Sequence, residues 1–182
     1  MKLALTLLTL TLLATFAGAT TVDFNSYLPL NVCQATISSG GLDFNGGYCM
    51  GVWDGTSPNG NGTPALIYDN FGGGQVVTMS LTGGGAFTLN SVDMTISWYD
   101  SNPSEVILVN GNPITLIQGL QTYNLNLTGT SFTFSEIPGN AGYWLMDNVV
   151  YNGGTTPEPG TLALLGSGVL AGLGVLRRKA RL

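Results

Sequence analysis

Apolar and polar residues alternate strictly through Val92-Asp93-Met94-Thr95-Ile96-Ser97-Trp98. Thr122-Tyr123-Asn124-Leu125-Asn126-Leu127-Thr128 repeats the pattern, and so does Ser131-Phe132-Thr133-Phe134-Ser135. A period of two sends successive side chains to opposite faces of an extended strand, so each segment buries one face and wets the other. No stretch between residues 20 and 156 carries the helical repeat of about 3.6 residues that would bury the same side chains on a helix. Gln75 to Leu81, Glu105 to Val109 and Trp144 to Tyr151 read as further strands. Gly72-Gly73-Gly74, Gly83-Gly84-Gly85, Asn110-Gly111 and Asn152-Gly153-Gly154 punctuate them. Asn110-Gly111 is the strongest hairpin signal, because both residue types accept positive φ. Short strands with turn residues between them predict an all-β fold, an antiparallel β-sandwich. A jelly-roll strand order is expected, with an immunoglobulin-like order as the alternative.

Charge is placed as unevenly as hydrophobicity is placed regularly. The 182 residues hold 5 Lys+Arg, 10 Asp+Glu and no His, and only 8% are charged, against about 25% in ordinary soluble domains. The bases are Lys2, Arg177, Arg178, Lys179 and Arg181, so nothing between Lys2 and Arg177 is basic. A middle without Lys or Arg cannot neutralise phosphates, which excludes nucleic-acid binding. The absence of His excludes a Ser-His-Asp or Cys-His base and any His metal ligand. A phosphate-binding loop lysine is absent as well.

The two ends read as transport signals. Residues 1–19 form a signal peptide: Lys2 is the positive start, Leu3 to Leu13 the apolar centre, and Ala17-Gly18-Ala19 a small-x-small cleavage site for signal peptidase. The apolar run is short for a membrane span of about 20 residues. At the other end Thr156-Pro157-Glu158-Pro159-Gly160 makes a rigid turn. An apolar run from Thr161 to Leu176 follows, and Arg177-Arg178-Lys179-Ala180-Arg181 closes the chain with a basic stop. As a helix the run extends roughly 24 Å, close to the hydrocarbon thickness. The basic cluster belongs on the cytoplasmic side, which puts the middle of the chain outside. The expected organisation is therefore a signal helix over 1–19, an acidic sandwich over 20–156, and a sorting segment with a transmembrane helix over 157–182.

Pro157-Glu158-Pro159, the apolar run and the basic stop together resemble the PEP-CTERM sorting signal. Thr156 stands where that family often has Val. The resemblance implies a Gram-negative host that makes exopolysaccharide. It also implies recognition by an exosortase, a membrane cysteine transpeptidase that cleaves near Pro157-Glu158-Pro159. The protein would then be exported, held for a time in the inner membrane, and delivered to the cell surface or beyond.

Without its ends the chain keeps nine acids and no base between residues 20 and 156, a formal charge of −9 rather than the overall −5. No side-chain salt bridge can form inside that segment, so apolar burial, the strand ladder or a bound cation must hold it together. Cys33 and Cys49 are the only cysteines, and export to an oxidising compartment makes a disulfide the leading reading. A catalytic thiol is the rival, with neither His nor a cation to lower its pKa.

Four constellations are candidates for a site. Asp23 on the first expected strand and Asp147 on the last could share Ca2+, since terminal strands of sandwiches are commonly neighbours and calcium takes oxygen ligands. Trp144-Leu145-Met146-Asp147-Asn148-Val149-Val150 resembles the closing strand of jelly-roll carbohydrate-binding modules, and that resemblance implies a structural calcium at the acidic residue. The loop Asp54-Gly55-Thr56-Ser57-Pro58-Asn59-Gly60-Asn61-Gly62 offers oxygens but not the EF-hand spacing, and reads as a mobile surface turn. Trp53 and Tyr99 are the exposed candidates for stacking on sugars. Trp98, Tyr143 and Trp144 accompany them in sequence, and Trp98 falls in phase with the core. Glu105 and Glu136 are the only glutamates of the segment and could act as the carboxylate pair of a small glycosidase. Asn61-Gly62-Thr63 and Asn126-Leu127-Thr128 match the glycosylation pattern, by chance in a bacterial chain. The functional expectation is a non-catalytic, exported surface or matrix protein. The alternatives are a calcium-assisted carbohydrate-binding module and, more remotely, a glycoside hydrolase.

Overall fold

The computed structural model describes residues 18–27, 30–56, 59–69, 76–96, 103–137 and 142–153. Ala17–Gly154 forms one compact unit. Residues 1–17 of the expected signal helix, the sorting motif, the expected transmembrane helix and the basic stop lie outside the described residues.

Eleven strands follow one another with no helix among the described residues. They are β1 Thr20–Val22, β2 Leu30–Ser39, β3 Leu42–Trp53, β4 Ala65–Asp69, β5 Val76–Leu81 and β6 Phe87–Ile96, then β7 Ser104–Val109, β8 Asn112–Ile117, β9 Gln121–Gly129, β10 Ser131–Glu136 and β11 Tyr143–Gly153. The neighbour order is β8-β7-β10-β5-β3-β4-β11-β6-β9, with β1 on β11 and β2 on β3, and every pairing is antiparallel.

The long strand β3 turns this one path into two leaflets. Its first part, Leu42 to Asn45, pairs with β5, and its last part, Met50 to Trp53, pairs with β4. One leaflet is therefore β8-β7-β10-β5 with the start of β3, the other the end of β3 with β4-β11-β6-β9. Side chains from both meet in a single core. Phe87 of β6 meets Phe132 of β10 edge-on with ring centroids 4.8 Å apart, and Phe134 of β10 approaches Trp144 of β11 at 6.1 Å. Such aromatic contacts bury much apolar area in specific geometry, and here they fasten one leaflet to the other.

Alternation explains the strands that were expected. In β10, Phe132 and Phe134 are buried while Ser131 is exposed, and in β7 Ile107 and Val109 are buried. The expected hairpin forms at Asn110-Gly111, where φ is 48° and 80° and Val109 faces Asn112 across the ladder. Four strands, β2, β3, β4 and β8, were not expected. The strand at 92–98 is longer at its start than its alternation suggested, while Ser97 and Trp98 lie outside the described residues.

Unpaired strand edges invite aggregation unless covered. β8 and β9 are the two ends of the path, and side chains hold β8 against the other leaflet: Tyr123 of β9 donates its hydroxyl proton to the Thr115 carbonyl at 2.9 Å, and the hydroxyl of Thr95 on β6 lies 3.0 Å from the Ile117 carbonyl oxygen.

Candidate functional site

Asp147 sits at the one place in β11 where burial and polarity coincide. Met146 and Met94 face each other inside the core, so the next pair in register, Asp147 and Asp93, faces outward. The ladder is interrupted between Asp147 and Val150, with Asn148 at φ 46°, as a bulge requires. Asp147 is nevertheless only 1% exposed, because the β3–β4 connection folds across it. Asn61 donates from Nδ2 to Oδ2 of Asp147 at 3.1 Å, and Thr63 donates from Oγ1 to the same oxygen at 3.0 Å. Oδ1 of Asp147 is buried and has no hydrogen-bond partner within 3.5 Å in good geometry among the described residues.

The same connection, expected to be mobile, is held at several points among its described residues. Asn59 is buried and donates from Nδ2 to the Ile96 carbonyl at 3.1 Å. The Gly62 amide donates to the Gly55 carbonyl at 3.0 Å. Gly55 itself has φ 71°, and a Cβ there would stand 1.8 Å from the Thr63 carbonyl oxygen, so no other residue fits without moving the backbone. Asp54 and Asn61 each accept an amide proton from two residues on, from Thr56 and Thr63, the local turn chemistry these side chains favour.

Two further carboxylates surround Asp147. Asp93, directly opposite, accepts the Thr122 hydroxyl at 2.6 Å and the Asn148 amide at 2.9 Å. Asp23 follows β1 rather than lying on it. β1 pairs with β11 as expected of terminal strands, and Asp23 is close enough to repel the Asp147 charge. Burial pushes the Asp147 carboxyl above the ordinary aspartate range, hydrogen bonds from Asn148, Asn61 and Thr63 pull it back, and Asp23 adds a smaller upward push. Among the described residues no group of three or more His, Cys, Asp or Glu could hold a metal ion.

Replacing Asn61 by Ala should cost about 1.5–3 kcal/mol, the range for a hydrogen bond to a charged group, and should push the Asp147 titration further up. Urea unfolding at neutral pH measures the first; a loss below about 0.5 kcal/mol would mean that the connection is not pinned through Asn61.

The remaining expected residues separate. Cys33 and Cys49 are joined in a disulfide with S–S 2.00 Å. Trp53 ends β3 half-buried, opposite Ala65. Tyr99 and Trp98 lie outside the described residues. Trp144 belongs to the core and stacks on Tyr68 at 5.1 Å. Glu105 and Glu136 are both buried, on the neighbouring strands β7 and β10, where Glu136 stands opposite Ile107. The sequence reading missed Asp93 and Thr63 beside Asp147; their outward register on β6 and the turn after Asn61 were the available signals.

Comparison with known proteins identifies the sorting segment. Residues 155–179 match the PEP-CTERM protein-sorting motif. The motif marks an exported protein that is sorted by an exosortase and is transiently anchored in the membrane. No curated protein matches the chain. Among solved structures, the crystal structure of the CBM22-1 and GH10 modules of Clostridium thermocellum endo-1,4-beta-D-xylanase 10B, complexed with xylohexaose, is weakly similar. The similarity covers 72% of this chain at 12% identity with a TM-score of 0.36, and this chain spans 28% of the length of that one.

Proposed function

We propose that the protein is a non-catalytic component of the bacterial surface or extracellular polysaccharide matrix. In this reading signal peptidase removes residues 1–19, the apolar segment before Arg177 holds the chain in the membrane, exosortase acts at Pro157-Glu158-Pro159, and residues 20–156 are the delivered part. The observation that carries the reading is the segregation of charge: all five bases lie in the two end segments, and the delivered part has none. Such a domain repels anionic partners and is compatible with neutral glycans and cations. Burial of Glu105 and Glu136 supports a non-catalytic role, since a glycosidase needs its carboxyl pair on an open cleft. Successive strands pass from leaflet to leaflet, β4 in one, β5 in the other, β6 back again, which supports a jelly-roll order.

Oδ1 of Asp147, buried and without a hydrogen-bond partner among the described residues, favours a second reading, a carbohydrate-binding module assisted by Ca2+. Asp147 and Asp23 would hold the ion, which would supply the positive charge this part of the chain lacks.

A single binding experiment tests both. The full chain in detergent is applied to an array of neutral and acidic glycans with Ca2+ or with EDTA, and its melting midpoint is followed in the same buffers. Retention on polysaccharide is expected, and a flat array would sink the binding-module reading. A lower midpoint in EDTA is expected if calcium is bound; an unchanged one removes Asp23 and Asp147 as ligands.

A further inference from the structure

Ile117, Val76 and Ile137 are the large apolar residues left exposed among the described residues, at 44%, 41% and 37%, and all three stand on one face. In β5, β7, β8 and β10 the core takes Val77, Ile107, Leu116 and Phe134, so the neighbours of these residues along each strand turn outward. Strand register collects the outward side chains into rows. Pro113, Leu108, Ser135 and Val76 lie opposite one another across β8, β7, β10 and β5. In the next row Thr115 faces Val106. Ile137, one position past the pairing of Glu136 with Ile107, returns to the outside at the level of Val106. Ile117 faces Ser104 in the row beyond. β7 is the cause. Its run Val106-Ile107-Leu108-Val109 is apolar on both sides, whereas a strand with one wetted face alternates.

The same face is free of charge. The only charged residues of β5, β7, β8 and β10 are Glu105 and Glu136, and both are buried on the inner side. Asp43 of β3 stands beside Ser80 of β5, four positions from Val76 and so roughly 13 Å along the sheet. Hydroxyls of Ser38 and Thr82 engage it there. Asp23, Asp54, Asp69, Asp93 and Asp147 belong to the strands and connections of the other leaflet, and Asp100 lies outside the described residues. Residues 20–156 hold nine acids and no base, so two copies repel wherever their acids approach. The outer face of β8-β7-β10-β5 is where they can meet without that cost.

We infer that this face joins two copies of the chain, sheet against sheet about a two-fold axis. An isologous contact sets the same patch against itself, which suits an apolar, uncharged surface and would be ruined by an acidic one. Two such sheets pack about 10 Å apart with their strands within about 30° of each other. The four strands bring no outward aromatic ring on which a sugar could stack, since Phe132 and Phe134 are buried. The rows span roughly 15–20 Å in each direction, on the order of 300–400 Å² per copy. That is the size of a functional surface patch, and twice it falls at the low end of specific interfaces. The dimer is therefore weak and forms where the protein is concentrated.

Sedimentation of the full chain in density-matched non-ionic micelles, from about 1 to 200 μM, tests this. The mass should rise from one chain to two, and the methyl resonances of Val106 and Leu108 should shift with concentration while that of Leu125 on β9 stays. The Val76→Glu, Ile117→Glu double variant, altered only at exposed positions, should weaken association at least tenfold. Gln121→Glu, Asn124→Glu adds the same charge at exposed positions of β9 and should change it less than about twofold. Raising salt from about 0.01 to 0.1 M shortens the reach of the repulsion from about 30 to 10 Å and should tighten the dimer. A monomer at every concentration would overturn the inference. So would a dimer indifferent to the Val76→Glu, Ile117→Glu change, which would be held by another surface, or one that salt loosens. A monomer that loses glycan retention in that variant would assign the face to sugar instead.

Discussion

Replacing Trp144 by alanine should destabilise the protein by about 3–5 kcal/mol, the range for emptying a large aromatic from a core. Trp144 is fully buried. It stacks on Tyr68 of β4 at 5.1 Å with 29° between planes, and approaches Phe134 of the other leaflet at 6.1 Å. The substitution would therefore open a cavity between leaflets, where neither sheet can collapse without breaking its ladder. The melting midpoint should drop by roughly 10 °C or more in a domain of this size. Trp144→Phe is the informative companion. Nε1 of Trp144 is buried with no acceptor among the described residues, so phenylalanine removes an unsatisfied donor along with some volume. It should cost well under half as much. A loss below about 1.5 kcal/mol in the alanine variant would show that the leaflets are not joined through this ring.

The second large effect is expected at the disulfide. Cys33 and Cys49 are 16 positions apart, and closing such a loop restricts the unfolded chain by about 3 kcal/mol in the chain-entropy argument. Its place in the fold makes the bond more than a generic restraint. The β2–β3 ladder is irregular between Leu30 and Thr36, and on β3 the partner changes from β5 to β4 between Asn45 and Met50. The disulfide fastens the two strands in that interval, where few regular ladder hydrogen bonds can. The Cys33→Ser, Cys49→Ser double variant should lose about 3 kcal/mol in urea unfolding, and amide exchange should quicken first in β2 from Leu30 to Gln34. Reductant should reproduce the loss in the wild type and leave the double variant unchanged. Equal stability of oxidised and reduced protein would refute the role.

Much of the strand inventory was legible because alternation with period two is a local property. Val92 to Ile96, Thr122 to Thr128 and Ser131 to Ser135 each bury one face of a two-faced sheet, and the pattern survives in the order of residues. β3 was not legible, because Gly46 and Gly47 interrupt its pattern where it leaves one leaflet for the other. Pro113 disguised β8, which tolerates it because β8 is an edge strand. The loop from Asp54 to Gly62 looked mobile for a sound local reason, its density of turn residues. What holds it is the side chain of Asp147, 86 positions from Asn61, and no local reading reaches that far.

The sequence by itself determined the class of fold, the sorting segment and the charge of residues 20–156. Each is carried by residue type or spacing: alternation makes strands, an apolar run between a turn and a basic stop makes a sorting segment, and absent bases cannot be restored by folding. Only the tertiary structure decided which carboxylates matter. Asp147 is buried because a distant connection crosses it, Asp93 faces it through strand register, and Glu105 and Glu136 are buried on the neighbouring strands β7 and β10. The physical reason is the range over which each property acts. Hydrophobic periodicity is set within a few residues, whereas desolvation and the repulsion of like charges depend on which strands the fold brings side by side.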